Sequence, residues 1–429
     1  MIDGLTPSML EDTLGRQTAP SLALLAEHGR YRRAVSTFPS LTPVCLSTLV
    51  TGAHPDVHEI PHLVWYHRGE RRVVEYGSSF GAVRAAGARR SIVDTIYGLN
   101  ASHLGARAVT LYEALEEAGL ETAAINITCY RGRTPHRPTV PFLTRPAYGP
   151  RRFFFYSLFE SDVTGAPFAV RSRPRGTIDA YAAAVGRWLV TRDGFDFLVF
   201  YLSDYDYASH AHGPDAAHAA LARSDEAVGT LVEAAGGPDE FLERYAVILC
   251  SDHGQTPVTE VARLQDVFPD ELVTASNRAA MVYTDRDPAA LAPRLDGNPA
   301  VDVVLHRAGE EAVARRDGEE LRFTPAETRG EAGILDHPKG LERAWAALAN
   351  PNAGELIVSA AAGWEFADLA GRHHAGGGSH GSLVRGDSEV PMLTVGLAAL
   401  PGSIAEVMPA ALEHFGVAPP PYAQAPSRA

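Results

Sequence analysis

Short apolar runs alternate with helix-patterned stretches along most of this chain. Residues 122–127, 195–202, 245–250 and 391–395 are four such runs, with few polar interruptions. Their length and composition predict buried strands. Between and around them, residues 110–118, 178–190, 216–234 and 404–415 carry apolar residues at helical spacing and predict helices with one buried face. The alternation predicts an α/β fold, a mostly parallel central sheet flanked by helices. Two stretches break the rhythm. Residues 66–105 are rich in Arg and Gly with few periodic signals, and residues 279–323 carry short strands around Asp317-Gly318, a hairpin turn signal. The second stretch predicts a small α+β insertion. From Val417 the chain is rich in Pro and Ala and predicts a poorly ordered tail.

Composition narrows the class of partner. The 429 residues, 45% hydrophobic and 21% charged, suit a soluble globular protein with a large core. A net charge of −14, from 52 acidic and 38 basic residues, argues against a broad nucleic-acid-binding face. It leaves room for a local basic pocket that takes an anionic small molecule. Cys45, Cys129 and Cys250 are far apart and odd in number, so no disulfide framework is expected. No apolar run reaches the ~18 residues of a membrane span. The opening MIDGLTPSML lacks the basic and apolar regions of a signal peptide. The expectation is a cytoplasmic protein without membrane attachment; oligomeric state is not fixed by the sequence.

The candidate chemistry sits where strands end, the place where ligands collect in open α/β sheets. Run 245–250 is followed by Ser251-Asp252-His253-Gly254, and run 195–202 by Ser203-Asp204-Tyr205-Asp206, with His210 four residues further on. On a helical turn that spacing puts Asp206 and His210 on one face, where a carboxylate and an imidazole chelate one divalent metal. Each pair alone reads equally well as a polar turn or helix entry; two strands ending in Asp and His are a stronger signal. His380 lies in a Gly-rich loop, GGGSHGS, before run 391–395, and Gly allows close backbone approach to a site. His373 and His374, just upstream, are alternatives. Thr42-Pro43 opens the helical stretch VCLSTLV. Thr is a favoured N-cap and Pro a favoured first helical residue, so Thr42 is expected to cap a helix. Its hydroxyl would then lie at the positive end of the dipole, a position that also takes phosphate. A neighbouring dication would turn that hydroxyl into a nucleophile; the plain alternative is a structural cap. Asp3-Gly4 offers another carboxylate before a turn.

Taken in order, Asp3-Gly4, Thr42, Asp206/His210, Asp252-His253-Gly254 and His380-Gly381 resemble the alkaline phosphatase superfamily, and most of all its nucleotide pyrophosphatase/phosphodiesterase branch. The stretch TPVCLSTLVTGAHPDVHEI is similar to that family's nucleophile helix and the loop after it. The resemblance implies an alkaline phosphatase-like catalytic domain over residues 1–416, with inserted segments at about 62–105 and 275–370 and a tail at 417–429. It implies two divalent metal ions, zinc first, with manganese or iron as alternatives. Asp206, His210 and His380 would hold one; Asp3, Thr42, Asp252 and His253 would hold the other. Ions about 3.5–4 Å apart clamp the attacking and leaving oxygens of an in-line displacement. Thr42 would attack phosphorus and form a covalent phospho-threonine, which activated water then releases. The implied activity is hydrolysis of a small-molecule phosphate ester, a phosphodiester or nucleotide pyrophosphate. Alternatives within the superfamily are a phosphomonoesterase, phosphonate hydrolase or phosphomutase. The alternative of another class is a non-catalytic binding protein on a degraded scaffold.

The chain departs from the family pattern in two places. Only Met1 and Ile2 precede Asp3, where many members have an apolar strand. Either the protein begins upstream of this sequence, the favoured reading, or Asp3 is loosely held. The branch often has a phosphate-contacting Asn after the nucleophile loop, and Ile60-Pro61-His62-Leu63 has none. The stretch Trp65-Tyr66-His67-Arg68, with Arg71 and Arg72, reads either as pocket lining or, slightly ahead, as a solvated basic surface. A sulfatase is disfavoured, because Thr42-Pro43-Val44-Cys45-Leu46 does not match C/S-x-P-x-R.

Overall fold

The computed structural model describes residues 1–140, 143–170 and 176–423. Seven strands make its central layer: β1 (Arg30–Val35), β2 (Thr122–Ile125), β3 (Arg152–Phe155), β4 (Phe159–Ser161), β5 (Phe197–Phe200), β6 (Val247–Cys250) and β7 (Glu389–Val395). They form two half-sheets. In the first, of order β4-β3-β2-β5, β2 pairs in parallel with β3 and β5, and β4 folds back antiparallel. In the second, of order β1-β7-β6, β7 runs antiparallel to both neighbours. The chain enters β7 from the loops beyond the carboxyl end of β6, where Gly254 N donates to Asp387 O at 3.0 Å. No crossover helix resets its direction.

The alternation of side chains along β2 explains the layering. Ala123 and Ile125 face one apolar core and Ala124 faces the other, as the period of two dictates. Helices Ile178–Val190 and His218–Ala235 contribute to the first core; Thr42–Thr51, Leu111–Glu117 and Val407–His414 contribute to the second. Thr110 starts its helix with a capping box closed by Glu113.

The first residues join the half-sheets. Leu202 N donates to Met1 O at 3.0 Å, Asp3 N to Leu202 O at 2.8 Å, and Ile2 N to Cys250 O at 3.1 Å. Ile2 bridges Leu202 in parallel and is fully buried. The expectation of a loosely held Asp3 is therefore corrected: backbone bonds to both half-sheets fix it, and it is 5% exposed. Beneath Met1, the facing edges of β5 and β6 line a cavity of about 330 Å³, bounded by Phe197, Val199, Val247, Leu249, Leu231 and Phe415.

A second sheet, larger than the small insertion expected, is built from residues 272–360. It has seven strands, from Leu272–Ser276 to Thr328–Gly330, each antiparallel to its neighbour. Asp317 and Gly318 do form its hairpin turn, both at positive φ (50° and 89°). The stretch without periodic signal, 66–105, contains the hairpin Val64–His67/Arg72–Glu75 and a π-helix, Asp94–His103, whose wider spacing escapes a 3.6-residue pattern. Of the tail, residues 424–429 lie outside the described residues, and Tyr422 is held by Val109, whose N–H donates to its hydroxyl at 2.7 Å. Among the described residues no helix is long and apolar enough to cross a membrane.

Ile2→Ala should lower unfolding stability by about 2–4 kcal/mol, the cost of deleting a fully packed side chain. Equilibrium denaturation checks this, and a change below about 0.5 kcal/mol would show that the first residues lie outside the cooperative core.

Candidate active site

The carboxyl ends of β5 and β6, the start of the chain and the N-terminus of helix α1 (Thr42–Thr51) meet at one point. Leu41, extended at φ −112° and ψ 138°, caps α1, and its carbonyl accepts the N–H groups of Val44 and Cys45, both at 2.9 Å. Thr42 is thus the first helical residue and not the N-cap, a correction with chemical content. Its hydroxyl is not spent on the helix and meets His253 Nε2 at 3.1 Å. Helix α2 (Asp204–His212) carries Asp206 and His210 one turn apart, with His210 Nε2 3.5 Å from Asp206 Oδ2. His253 Nε2 lies 3.4 Å from Asp3 Oδ1 and 3.5 Å from Asp252 Oδ2. The rings of His253 and His380 stack at 3.5 Å, and those of His210 and His380 lie 5.2 Å apart. The structure brings all seven predicted residues together: Asp3, Thr42, Asp206, His210, Asp252, His253 and His380. Potential ligand atoms of Asp206, His253 and His380 fall within 4.8 Å of one another, as do those of Asp3, Asp252 and His253.

The three imidazoles share one device. His210 Nδ1–H donates to Gly378 O at 2.8 Å, His253 Nδ1–H to Gly254 O at 3.0 Å, and His380 Nδ1–H to Ser40 O at 2.7 Å. With the proton held on Nδ1, each Nε2 turns its lone pair inward. Burial pushes the His210 and His380 pKa values down, and for His380 the neighbouring His253 and His210 push the same way. Asp3 shows the converse: burial first, then Asp252 and Asp206, hold its carboxyl well above the usual range. Asp3 Oδ1 and Asp252 Oδ2 are buried without a hydrogen-bond partner. Inward lone pairs beside unpartnered carboxylate oxygens make a pocket short of positive charge, and this donor set fits divalent ions that take nitrogen and oxygen ligands.

Several supporting groups escaped sequence reasoning. The Tyr201 hydroxyl donates to Asp3 Oδ2. Gln255 Nε2 donates to Asp206 Oδ1 at 2.5 Å, while its Oε1 accepts from Ser209 at 2.6 Å. Asn277 Nδ2 lies 3.0 Å from His380 Nε2. Tyr201 sits in an apolar run and Asn277 in a turn, so neither carries a local signal. Of the two alternatives to His380, His373 is exposed, and His374 is held by Glu365 at 2.7 Å with its ring 4.1 Å from His210.

In the stretch Trp65–Arg72 the structure exposes Arg68 and Arg71, in keeping with a solvated basic surface, while other members are tied down. Trp65 is core, Arg68 binds Ala353 O and Glu355, and Arg72 pairs with both Glu70 and Asp94. His67, Glu70 and His103 also group closely, but Arg72 already neutralises the carboxylates there. His62 is buried, its Nε2–H donating to the Ala279 carbonyl at 3.2 Å and its Nδ1 accepting from Val64 N at 3.1 Å.

A buried set of carboxylates and imidazoles thus surrounds a hydroxyl at a helix N-terminus, beyond the carboxyl ends of a strand layer. The sequence profile of the family "Type I phosphodiesterase / nucleotide pyrophosphatase" matches residues 1–383, and the chain belongs to that family. No curated protein sequence matches it. Among solved structures it resembles phosphonoacetate hydrolase from Sinorhizobium meliloti 1021, in complex with phosphonoformate, at 18% identity and TM-score 0.63, over 95% of this chain and 92% of that one. It also resembles murine ectonucleotide pyrophosphatase / phosphodiesterase 5 at 14% identity and TM-score 0.64, over 100% of this chain and 96% of that one.

A Cβ on Gly377 would lie 2.0 Å from the carbonyl oxygen of His210. Gly377→Ala should therefore displace the end of α2 and weaken retention of a divalent ion, with zinc as the probe, at least about tenfold, the size of effect seen when a supporting contact to a ligand is lost. Zinc titration reads this, and parental affinity would show that the loop yields freely. Burial also pushes His58 and His62 down to about 3 and about 4. The unfolded chain protonates them near pH 6.5. Their stabilisation is therefore complete above that pH and is lost as the pH falls toward 4. The denaturant midpoint should drop between pH 7 and pH 5, and His62→Asn should flatten the drop; an unchanged slope would exclude His62 as a source.

Proposed function

We propose that the chain cleaves phosphodiesters or nucleotide pyrophosphates through a covalent phospho-threonine on Thr42, with two divalent ions, zinc the first candidate. One observation carries this reading: three inward Nε2 atoms and two unpartnered carboxylate oxygens surround a hydroxyl that α1 does not use and that meets His253 Nε2 at 3.1 Å. Asp206, His210 and His380 would hold one ion, and Asp3, Thr42, Asp252 and His253 the other. Bound there, the ions would supply the positive charge that acidifies the attacking hydroxyl and water and offsets charge on the leaving oxygen.

The chain's own part is positional. Thr42 Oγ1 gives up its proton to solvent and attacks phosphorus in line as the bond to the leaving oxygen breaks, and that oxygen takes a proton from solvent. Water then attacks the Thr42-bound phosphoryl group from the vacated side, its proton returning the threonine oxygen to a hydroxyl, and the remaining phosphomonoester is released. The N-terminus of α1 favours the anion throughout. Tyr201 and Gln255 fix the Asp3 and Asp206 carboxylates so that the donor set is preorganised. The division into a catalytic domain at 1–416, with insertions at about 62–105 and 275–370 and a tail from 417, belongs to this reading. So does a cytoplasmic location, for which the three free cysteines are the support. A degraded, non-catalytic scaffold loses its motive once Asp3 is seen firmly held.

Thr42→Ala should lower turnover of aryl phosphodiesters by at least about 10⁴-fold, as for other covalent nucleophiles. Zinc measured on the same sample should stay near about two per chain. Parental rates in that variant would overturn the covalent route. A parallel panel of phosphodiester, phosphomonoester and phosphonate should rank the diester first.

A further inference from the structure

Asn277 occupies a two-residue turn between Leu272–Ser276 and Ala279–Tyr283, at φ 58°, a conformation that Asn tolerates. The turn is tied down on every side. Arg278 N donates to His380 O at 2.9 Å, Phe366 N donates to Asn277 O at 2.8 Å, and the buried Arg278 guanidinium holds Asp387 at 2.7 Å. The Asn277 side chain is buried. Its Oδ1 accepts from Ser276 Oγ at 3.1 Å, which turns the amide N–H₂ toward the centre, 3.0 Å from His380 Nε2. That nitrogen bears a lone pair, because Nδ1–H is committed to Ser40 O.

The same lone pair is claimed by a metal ion under the proposed function, on which this inference rests. With Nε2 so engaged, a buried amide N–H loses its acceptor, at a cost of about 1–3 kcal/mol. Under that same reading a substrate would bring a charged phosphoryl oxygen as a replacement acceptor. We propose that Asn277 donates its side-chain amide to a non-bridging oxygen of the phosphoryl group. It would supply, from the second sheet, the amide that Ile60-Pro61-His62-Leu63 lacks. A rigid donor aimed at the developing charge acts on the transition state, and a hydrogen bond to an anion is stronger than a neutral one.

Two variants test this in the zinc-loaded full chain. Asn277→Asp keeps the shape and replaces the donor with a carboxylate; Asn277→Gly keeps the backbone conformation and removes the side chain. Inorganic phosphate binding is read by calorimetry, zinc content by elemental analysis, and kcat and KM with an aryl phosphodiester. Phosphate affinity should fall at least about tenfold in both variants, and kcat/KM about 10²–10³-fold, the range for loss of one such donor. Zinc content should match the parent. Phosphate affinity within twofold of the parent in either variant overturns the proposal, and a loss of zinc alone would show that the amide only steadies His380. If the parent itself neither binds zinc nor turns over ester, the proposed function fails first; if the parent does both and the variants match it, only the role of Asn277 fails.

Discussion

Mutual repulsion among three buried carboxylates governs this protein's centre. Asp3, Asp206 and Asp252 share a buried site, and burial first, then the neighbouring Asp252 and Asp206, hold the Asp3 carboxyl well above its usual range. Among the described residues no arginine or lysine forms an ion pair with these carboxylates, and His374, raised despite burial by its carboxylate neighbours, is paired with Glu365. Arginine is plentiful in the chain, but the buried guanidiniums are spent elsewhere, Arg278 on Asp387 and Arg343 on Ser388 and the Thr37 carbonyl. Burial pushes the His210 and His380 imidazoles away from their charged form. The deficit is built in, and the proposed ions answer it.

That deficit persists because the scaffold around it is stiff. The Nδ1 of each imidazole is pinned to a main-chain carbonyl, and two of those carbonyls, of Gly378 and Ser40, come from segments remote in sequence from the ring they hold. Tyr201 and Gln255 pin two carboxylates in the same way. The side chains cannot relax apart to relieve their repulsion without breaking bonds to the backbone. A buried polar group that loses its partner costs as much as the repulsion it escapes.

How much of this could be read in the sequence depended on whether the information was local. Asp252-His253 and Asp206/His210 were visible because the strand, its end and the ligand types lie within a dozen residues. His380 was visible as a His in a glycine loop, but only geometry separates it from His374. Asn277 was invisible, since an Asn between two strands is also what a turn needs, and its partner is 103 residues away. β1 was missed because an edge strand, RYRRAV, exposes its arginines and lacks an apolar run. Strand direction was equally hidden: the run at 391–395 predicts a strand, and only the path of the chain makes it antiparallel. At Thr42 a shift of one residue takes the hydroxyl out of the capping role and turns it to His253.

The cavity between β5 and β6 has a consequence of its own. The two half-sheets are joined by the backbone hydrogen bonds of Met1–Asp3, and the cavity lies between the facing edges of β5 and β6. The donor set is divided across that junction, with Asp206 and His210 following β5 on one side and Asp252 and His253 following β6 on the other. An ion taking Asp206, His210 and His380 would act as a rivet through both plates. Filling the centre and closing the sheet would then be a single event, and the rigidity of the whole layer would be set by what its reactive end holds.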